Sequence, residues 1–98
     1  MDRLLHILAN KYRRRLLVAL LEHNPQDEKN PLAETEGDDI ESLKIAMIHS
    51  HLPKLEEAGF IEWDRERHAV RKGPRFDQIR PLLELMQSHA DELPDDWI

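Results

Sequence analysis

Apolar positions recur along this chain at helical spacing in four places and alternate in two. Leu4, Leu5, Ile7 and Leu8 form a short patch that predicts a first helix ending near Asn10. Asn10 then caps a second helix over residues 11–23, in which Tyr12, Leu16, Leu17, Leu20 and Leu21 give the i, i+4, i+5, i+8, i+9 stripe of a buried face. A third helix starts at Asp38 or Asp39 and stops at Gly59, with Ile40, Leu43, Met47, Ile48, Leu52 and Leu55 on one side. "FIEWD" and "HAVRK" alternate around a charged turn, the signal of a β-hairpin over residues 60–73. Ile79, Leu82, Leu83, Met86 and Ala90 return to helical spacing and predict a last helix over residues 75–91, with Pro81 early in it or at its start. Residues 24–39 hold two prolines, a glycine and a dense run of acids without apolar period. They predict a loop, with at most one turn around Leu32 and Ala33.

Pro53 falls inside the third helix. One reading is a single rod kinked where the carbonyl of His49 loses its donor; the other is a fresh helix capped by Ser50, with the proline in its first turn. The single kinked rod is preferred. Either way the proline sets geometry and has no chemistry of its own.

Ninety-eight residues make one small domain, residues 1–98, with a modest core that a second copy would enlarge. The formal net charge is −6, but the acids gather in the loop and in an acidic tail over residues 92–98. Two basic stretches stand apart, residues 3–15 and 65–75, where a polyanion can be met locally. Cys is absent, which removes disulfides, thiolate metal sites and a cysteine nucleophile. The longest apolar run, LLVALL, is far shorter than the ~20 residues of a membrane span, and no cleavable leader pattern opens the chain. A cytoplasmic protein without a membrane partner is expected.

"HSHLPKLEEAGFIEWDRERHAVRKG" resembles winged helix-turn-helix transcription regulators of the arsenic-repressor type, especially their small relatives in halophilic archaea. The likeness rests on "KLEEAGFIEWD", where a recognition helix ends in Glu-Ala-Gly and runs into a first wing strand, and on the basic segment that follows. "LLHILANKYRRRLLVALLEH" is similar to that family's opening pair of helices. The short helix that precedes the recognition helix in this group has only "NPLAETE" to match it. The resemblance implies a mainly α fold with a small β-hairpin wing, a winged helix-turn-helix dimerising through its terminal helices. It also implies double-stranded DNA as partner.

On that scaffold, 100° per residue places Ala46, His49, Ser50, Pro53 and Glu57 outward when Ile48, Leu52 and Leu55 face inward. Lys44 and Lys54 flank the face and can reach backbone phosphates. Arg65, Arg67, His68, Arg71 and Lys72 make the wing cations, and Arg13 and Arg14 near the start of the second helix are further phosphate candidates. For Arg13, Arg14 and Arg15 the alternative is pairing with the acidic loop, or a solvated face with buried stems. Trp63 is expected to pack on the core or on a partner helix. Leu4, Leu5, Leu8, Ile79, Leu82, Leu83 and Met86 are the expected homodimer interface. The competing possibility is that the last stripe folds back on its own core.

His49 and His51, two apart on a helix, share no face, so no metal site is expected. No glycine-rich phosphate loop and no spaced nucleophile and base are present, so neither catalysis nor a cofactor is expected. The competing function is a protein-interaction adaptor on the same scaffold, meeting a protein partner through the acidic loop or tail.

Overall fold

The computed structural model describes residues 2–32 and 39–94. Asp38 as a helix cap, the possible turn at Ala33 and the end of the acidic tail, with Trp97 and Ile98, lie outside the described residues. The chain is mainly helical with one small antiparallel sheet, an arrangement compatible with a winged-helix-like fold. No helix among the described residues is long and apolar enough to cross a membrane.

Helix α1 (Asp2–Leu8) buries Ile7 and Leu8, and α2 (Lys11–Glu22) buries Leu16, Leu17, Val18 and Leu20. Asn10 caps α2 as its side chain suggests: Oδ1 accepts from the backbone N–H of Tyr12 at 2.9 Å and of Arg13 at 3.2 Å. The loop that follows holds more order than its composition announced. Strand β1 (Gln26–Asp27) and a 3₁₀ turn (Asn30–Leu32) precede the third helical unit. β1 pairs with the later strand β3, so the predicted hairpin is a three-stranded sheet. Two residues are too few to show alternation, and β1 left no mark in the sequence.

The third unit is a continuous rod made of α3 (Ile40–Ala46), a π-turn (Met47–His51) and α4 (Leu52–Glu57). Ala46, Met47, His51 and Leu52 all have right-handed helical dihedrals, so the single-rod reading of Pro53 holds and Ser50 caps nothing. The form of the interruption is new. Leu52 N–H bonds the carbonyl of Met47, five residues back, where an α-helix would have used Ile48. The wide turn adds one residue between Met47 (2% exposed) and Leu52 (0% exposed), and both face the core. Ile48, expected inside from uniform 100° steps, is therefore 41% exposed. Pro53 follows at the point where the helical ladder is already interrupted, which lessens the damage of its missing N–H.

Gly59 ends the rod at φ +84°, and a Cβ there would meet Arg75 Cδ at 2.9 Å. Strand β2 (Ile61–Asp64) then pairs with β3 (Ala69–Lys72), Ile61 opposite Lys72 and Trp63 opposite Val70, giving the sheet order β1-β3-β2. At Gly73 a Cβ would lie 2.5 Å from the Gly59 carbonyl oxygen, so the two glycines let the strand ends cross closely.

Helix α5 (Phe76–Ser88) packs against α2. It ends before the predicted residue 91, and a 3₁₀ turn (Ala90–Glu92) takes over. Pro81 lies inside it, past the first turn, where its exposed position avoids a buried unpaired carbonyl. The expected dimer stripe is split by this packing. Leu8, Ile79 and Leu83 are at most 7% exposed and belong to the chain's own core, because α5 folds back onto α2. Leu4, Leu82 and Met86 are partly buried against that core, and Leu5 and Leu85 remain exposed.

Candidate functional site

Three groups of side chains bear on function: the outer side of the rod, the tip of the hairpin, and a basic cluster where α1, α2 and the rod meet.

The π-turn sets the outer side of the rod. His49 and Ser50 are exposed there as expected, joined by Glu41, Ser42, Ile45, Ile48 and Glu57. Ala46 and Pro53 are half-buried at its margin. The extra residue of the π-turn also leaves the Ile48 carbonyl without a helical donor, since Leu52 N–H is used by Met47 and Pro53 has none to offer. Lys44 pairs with Glu41 on the same helix, Nζ to Oε1 3.3 Å. The face thus presents two hydroxyls, an imidazole, two apolar side chains and two carboxylates, with its one cation held to one of them.

At the hairpin tip, the turn over residues 65–68 carries Arg65 and Arg67 outward. Arg65 stacks 4.0 Å above the Trp63 ring and reaches Glu56 Oε1 at 3.2 Å. Arg67 Nε stands 3.8 Å from Asp64 Oδ2. Arg71 is exposed on β3 opposite Glu62 and makes no ion pair among the described residues. Lys72 lies 5.2 Å from the centre of the Phe76 ring, and its backbone N–H donates to Asn24 Oδ1 at 3.1 Å.

The tip is held from behind by a residue that sequence reasoning missed. Glu28, within the acid-rich stretch, is 4% exposed. Its Oε2 accepts from Trp63 Nε1–H at 2.7 Å, its Oε1 from His68 Nδ1–H at 2.8 Å, and its backbone N–H donates to the His68 carbonyl at 2.9 Å. His68 sits at φ +55°, a left-handed conformation that a branched side chain resists and these contacts hold in place. His68 is therefore a clamp residue more than a free wing cation, and Trp63 packs on the core as expected. Nothing in a run of acids marks which one is buried.

Arg13 and Arg14, expected to reach phosphates, turn inward onto α1 instead. Both are 7% exposed. Arg13 Nε donates to the Ile7 carbonyl at 2.8 Å and Nη2 to the His6 carbonyl at 2.9 Å; Arg14 Nη1 donates to the Leu8 carbonyl at 2.7 Å. These are the last carbonyls of α1, of which, among the described residues, His6 alone also accepts from a backbone donor, Ala9 N–H at 3.2 Å, and cations there also complement the helix dipole. The sequence signal was the short gap between the helices, since α1 ends at Leu8 and α2 begins at Lys11, which leaves the first turns of α2 beside the end of α1.

Beside Arg13 the rod brings His51 and Lys54. Arg13 Nη1 is 3.5 Å from His51 Nδ1, and Lys54 Nζ donates to His6 Nε2 at 3.1 Å. Burial, then the charges of Arg13 and Lys54, hold the His51 imidazole below the ordinary histidine range. Lys54, expected at the margin of the reading face, thus turns toward α1. Among the described residues, no three His, Asp or Glu side chains converge as a metal site would need.

No curated protein and no solved structure matches the chain. A family model does match, over residues 5–71, from α1 through most of β3, and the chain belongs to that family, the domain of unknown function DUF7344.

Proposed function

We propose that this protein is a winged helix-turn-helix regulator that binds double-stranded DNA, with the outer side of the rod in the major groove and the hairpin tip on the adjacent backbone. The observation that carries the reading is the order of elements: α2, β1, a short turn, the rod and then the hairpin, with β1 closing the sheet as β1-β3-β2. That order follows an exposed helix face with a ribbon bearing Arg65, Arg67 and Arg71, and Arg65 reaches Glu56 near the end of the rod. In this reading the 3₁₀ turn Asn30–Leu32 stands where the first helix of the motif would begin.

The partnered wing cations do not oppose it. Arg65 and Arg67 side chains are 59% and 79% exposed, and ion pairs this open contribute at most about 1 kcal/mol, so a phosphate displaces the carboxylate readily. On the helix face, His49, Ser50 and the Ile48 carbonyl offer donors and acceptors to base edges, and Ile45 and Ile48 suit thymine methyl groups. Leu5 and Leu85, 55% and 56% exposed, with Leu4, Leu82 and Met86 beside the core, support a two-fold dimer through α1 and α5.

A titration on duplex DNA tests this. Arg65→Ala, Arg67→Ala and Arg71→Ala together are expected to weaken binding and to reduce the salt slope by about three, one per lost phosphate contact. Unchanged affinity and slope would remove the wing from the interface.

A second reading has its own observation. Ile45 and Ile48 are 58% and 41% exposed on a face that also carries Glu41 and Glu57, a composition suited to a protein partner. An adaptor of this kind would bind no duplex at any salt concentration, and Ile45→Ser with Ile48→Ser would abolish its partner binding.

A further inference from the structure

We propose that the corner where α1 ends, α2 begins and the rod passes from its π-turn into α4 binds a phosphate-class oxyanion through Lys54, His51 and His6, with Arg13 as a fixed positive charge behind them. Four basic side chains from three elements meet here, and among the described residues none of them has a carboxylate partner. Several other cations of this chain of net charge −6, Lys44, Arg65, Arg67 and Arg80 among them, have found acids, and the corner differs from unpaired single cations such as Arg71 in bringing four basic groups together.

The groups tolerate one another because the two imidazoles act as acceptors. Lys54 donates to His6 Nε2 at 3.1 Å, and Arg13 Nη1 points to His51 Nδ1 at 3.5 Å, a long contact that marks an unsatisfied guanidinium N–H. Arg13 is committed to the end of α1 by its bonds to the Ile7 and His6 carbonyls and cannot swing away. An oxyanion is acceptor-only, and it replaces two weak acceptors with one that suits every donor at the corner. Lys54 is released from His6, the His51 imidazole becomes a donor by taking up a proton, and the positive charge behind them is neutralised.

The groups that face His51 are Arg13 and Tyr12 from α2 and Lys54 from the rod, the Tyr12 ring lying 6.4 Å away; His6 of α1 faces Lys54. Lys11 Nζ, 5.4 Å from the Tyr12 ring centre, extends the cationic rim. Since no acid faces His51 in this set, only an external anion can favour its charged form. Binding is therefore proton-linked and tightens as pH falls through the histidine range.

The inference stands apart from DNA binding and survives if that fails. It is tested on the full chain by following histidine ring and Lys54 side-chain NMR signals during titration with inorganic phosphate, with chloride adjusted to hold ionic strength constant. Saturable shifts at His6, His51 and Lys54 are expected, with His51 protonated at a higher pH in phosphate than in chloride. Lys54→Gln, a change at the surface, weakens phosphate binding about tenfold, the worth of one charge-assisted hydrogen bond. His51→Gln removes the pH dependence.

A parallel arm adds duplex DNA. Displacement of phosphate by duplex, with loss in both arms for Lys54→Gln, identifies the oxyanion as a nucleic-acid phosphate; phosphate binding that duplex leaves alone identifies a free ligand. Absence of saturable shifts in both arms, or identical shifts in chloride or in Lys54→Gln, overturns the site.

Discussion

The carbonyls that end α1 decide what two of the arginines do. Arg14 lends Nη1 to Leu8 at 2.7 Å from a position 7% exposed, so replacing it leaves a buried acceptor bare. Arg14→Met is expected to lower stability by about 1–3 kcal/mol, read from the urea midpoint, while the native fraction keeps its affinity for duplex DNA. His51 makes a separate prediction, on acid sensitivity. Its value is lowered from 6.5 in the folded chain, so the unfolded chain takes up the proton first. Its contribution to stability is complete above pH 6.5 and is lost as pH falls below that toward the folded value. His51→Gln should flatten the decline in melting temperature over that window, and an unchanged slope would assign the acid sensitivity to other groups.

At the scale of elements, the π-turn is the feature that periodicity could not foresee. Wheels drawn at a constant angle placed both Ile48 and Leu52 inward; the added residue keeps Met47 and Leu52 in the core and sends Ile48 out. Deleting Ser50 should restore α-helical spacing between those two core positions. The shortened chain is expected to fold with a normal near-ultraviolet spectrum and to lose its binding to any sequence it recognises. A molten spectrum would show that the turn serves the core itself.

The clamp at the hairpin is the second such feature. Glu28→Gln places an amide N–H₂ where a buried carboxylate accepted from both Trp63 and His68. A loss of about 1–3 kcal/mol is expected. In a Trp97→Phe background, Trp63 emission should move to the red.

Elements with a long stripe or a punctuating residue were legible beforehand: α2 from its leucines and Asn10, the end of the rod from Gly59, the hairpin from its alternation. What escaped depends on contacts distant in sequence. A two-residue strand exists only because β3 offers it an edge. Glu28 is buried only because Trp63 and His68 arrive from 35 and 40 residues away. Arg13 and Arg14 are the exception, with partners only six or seven residues back, and they looked like surface cations because charge says nothing about which carbonyls lie opposite. On the rod, His49 and Ser50 are exposed as their spacing suggested, while Lys54, expected to flank that face, turns toward His6.

On the scale of the whole molecule, the cations divide by task. Arg13 and Arg14 fasten α1 to α2, Lys54 stands at the corner without an acid among the described residues, and Arg65 and Arg67 of the wing are lightly paired. Light scattering on the intact chain addresses the remaining apolar surface: Leu5→Ser with Leu85→Ser is expected to turn a dimer into a monomer without lowering the melting temperature much, because both side chains are already more than half exposed. A wild-type monomer at high concentration would exclude that interface.

The Glu28 carboxylate reinforces a seam that strand pairing already makes: beyond Gln26 opposite Val70 and Asp27 opposite Ala69, its two oxygens and its backbone N–H tie the ribbon tip to the chain that leaves α2. Freeing that one side chain should therefore slacken the outermost arginines and the segment after β1 together, two places far apart in the sequence that share a single anchorage.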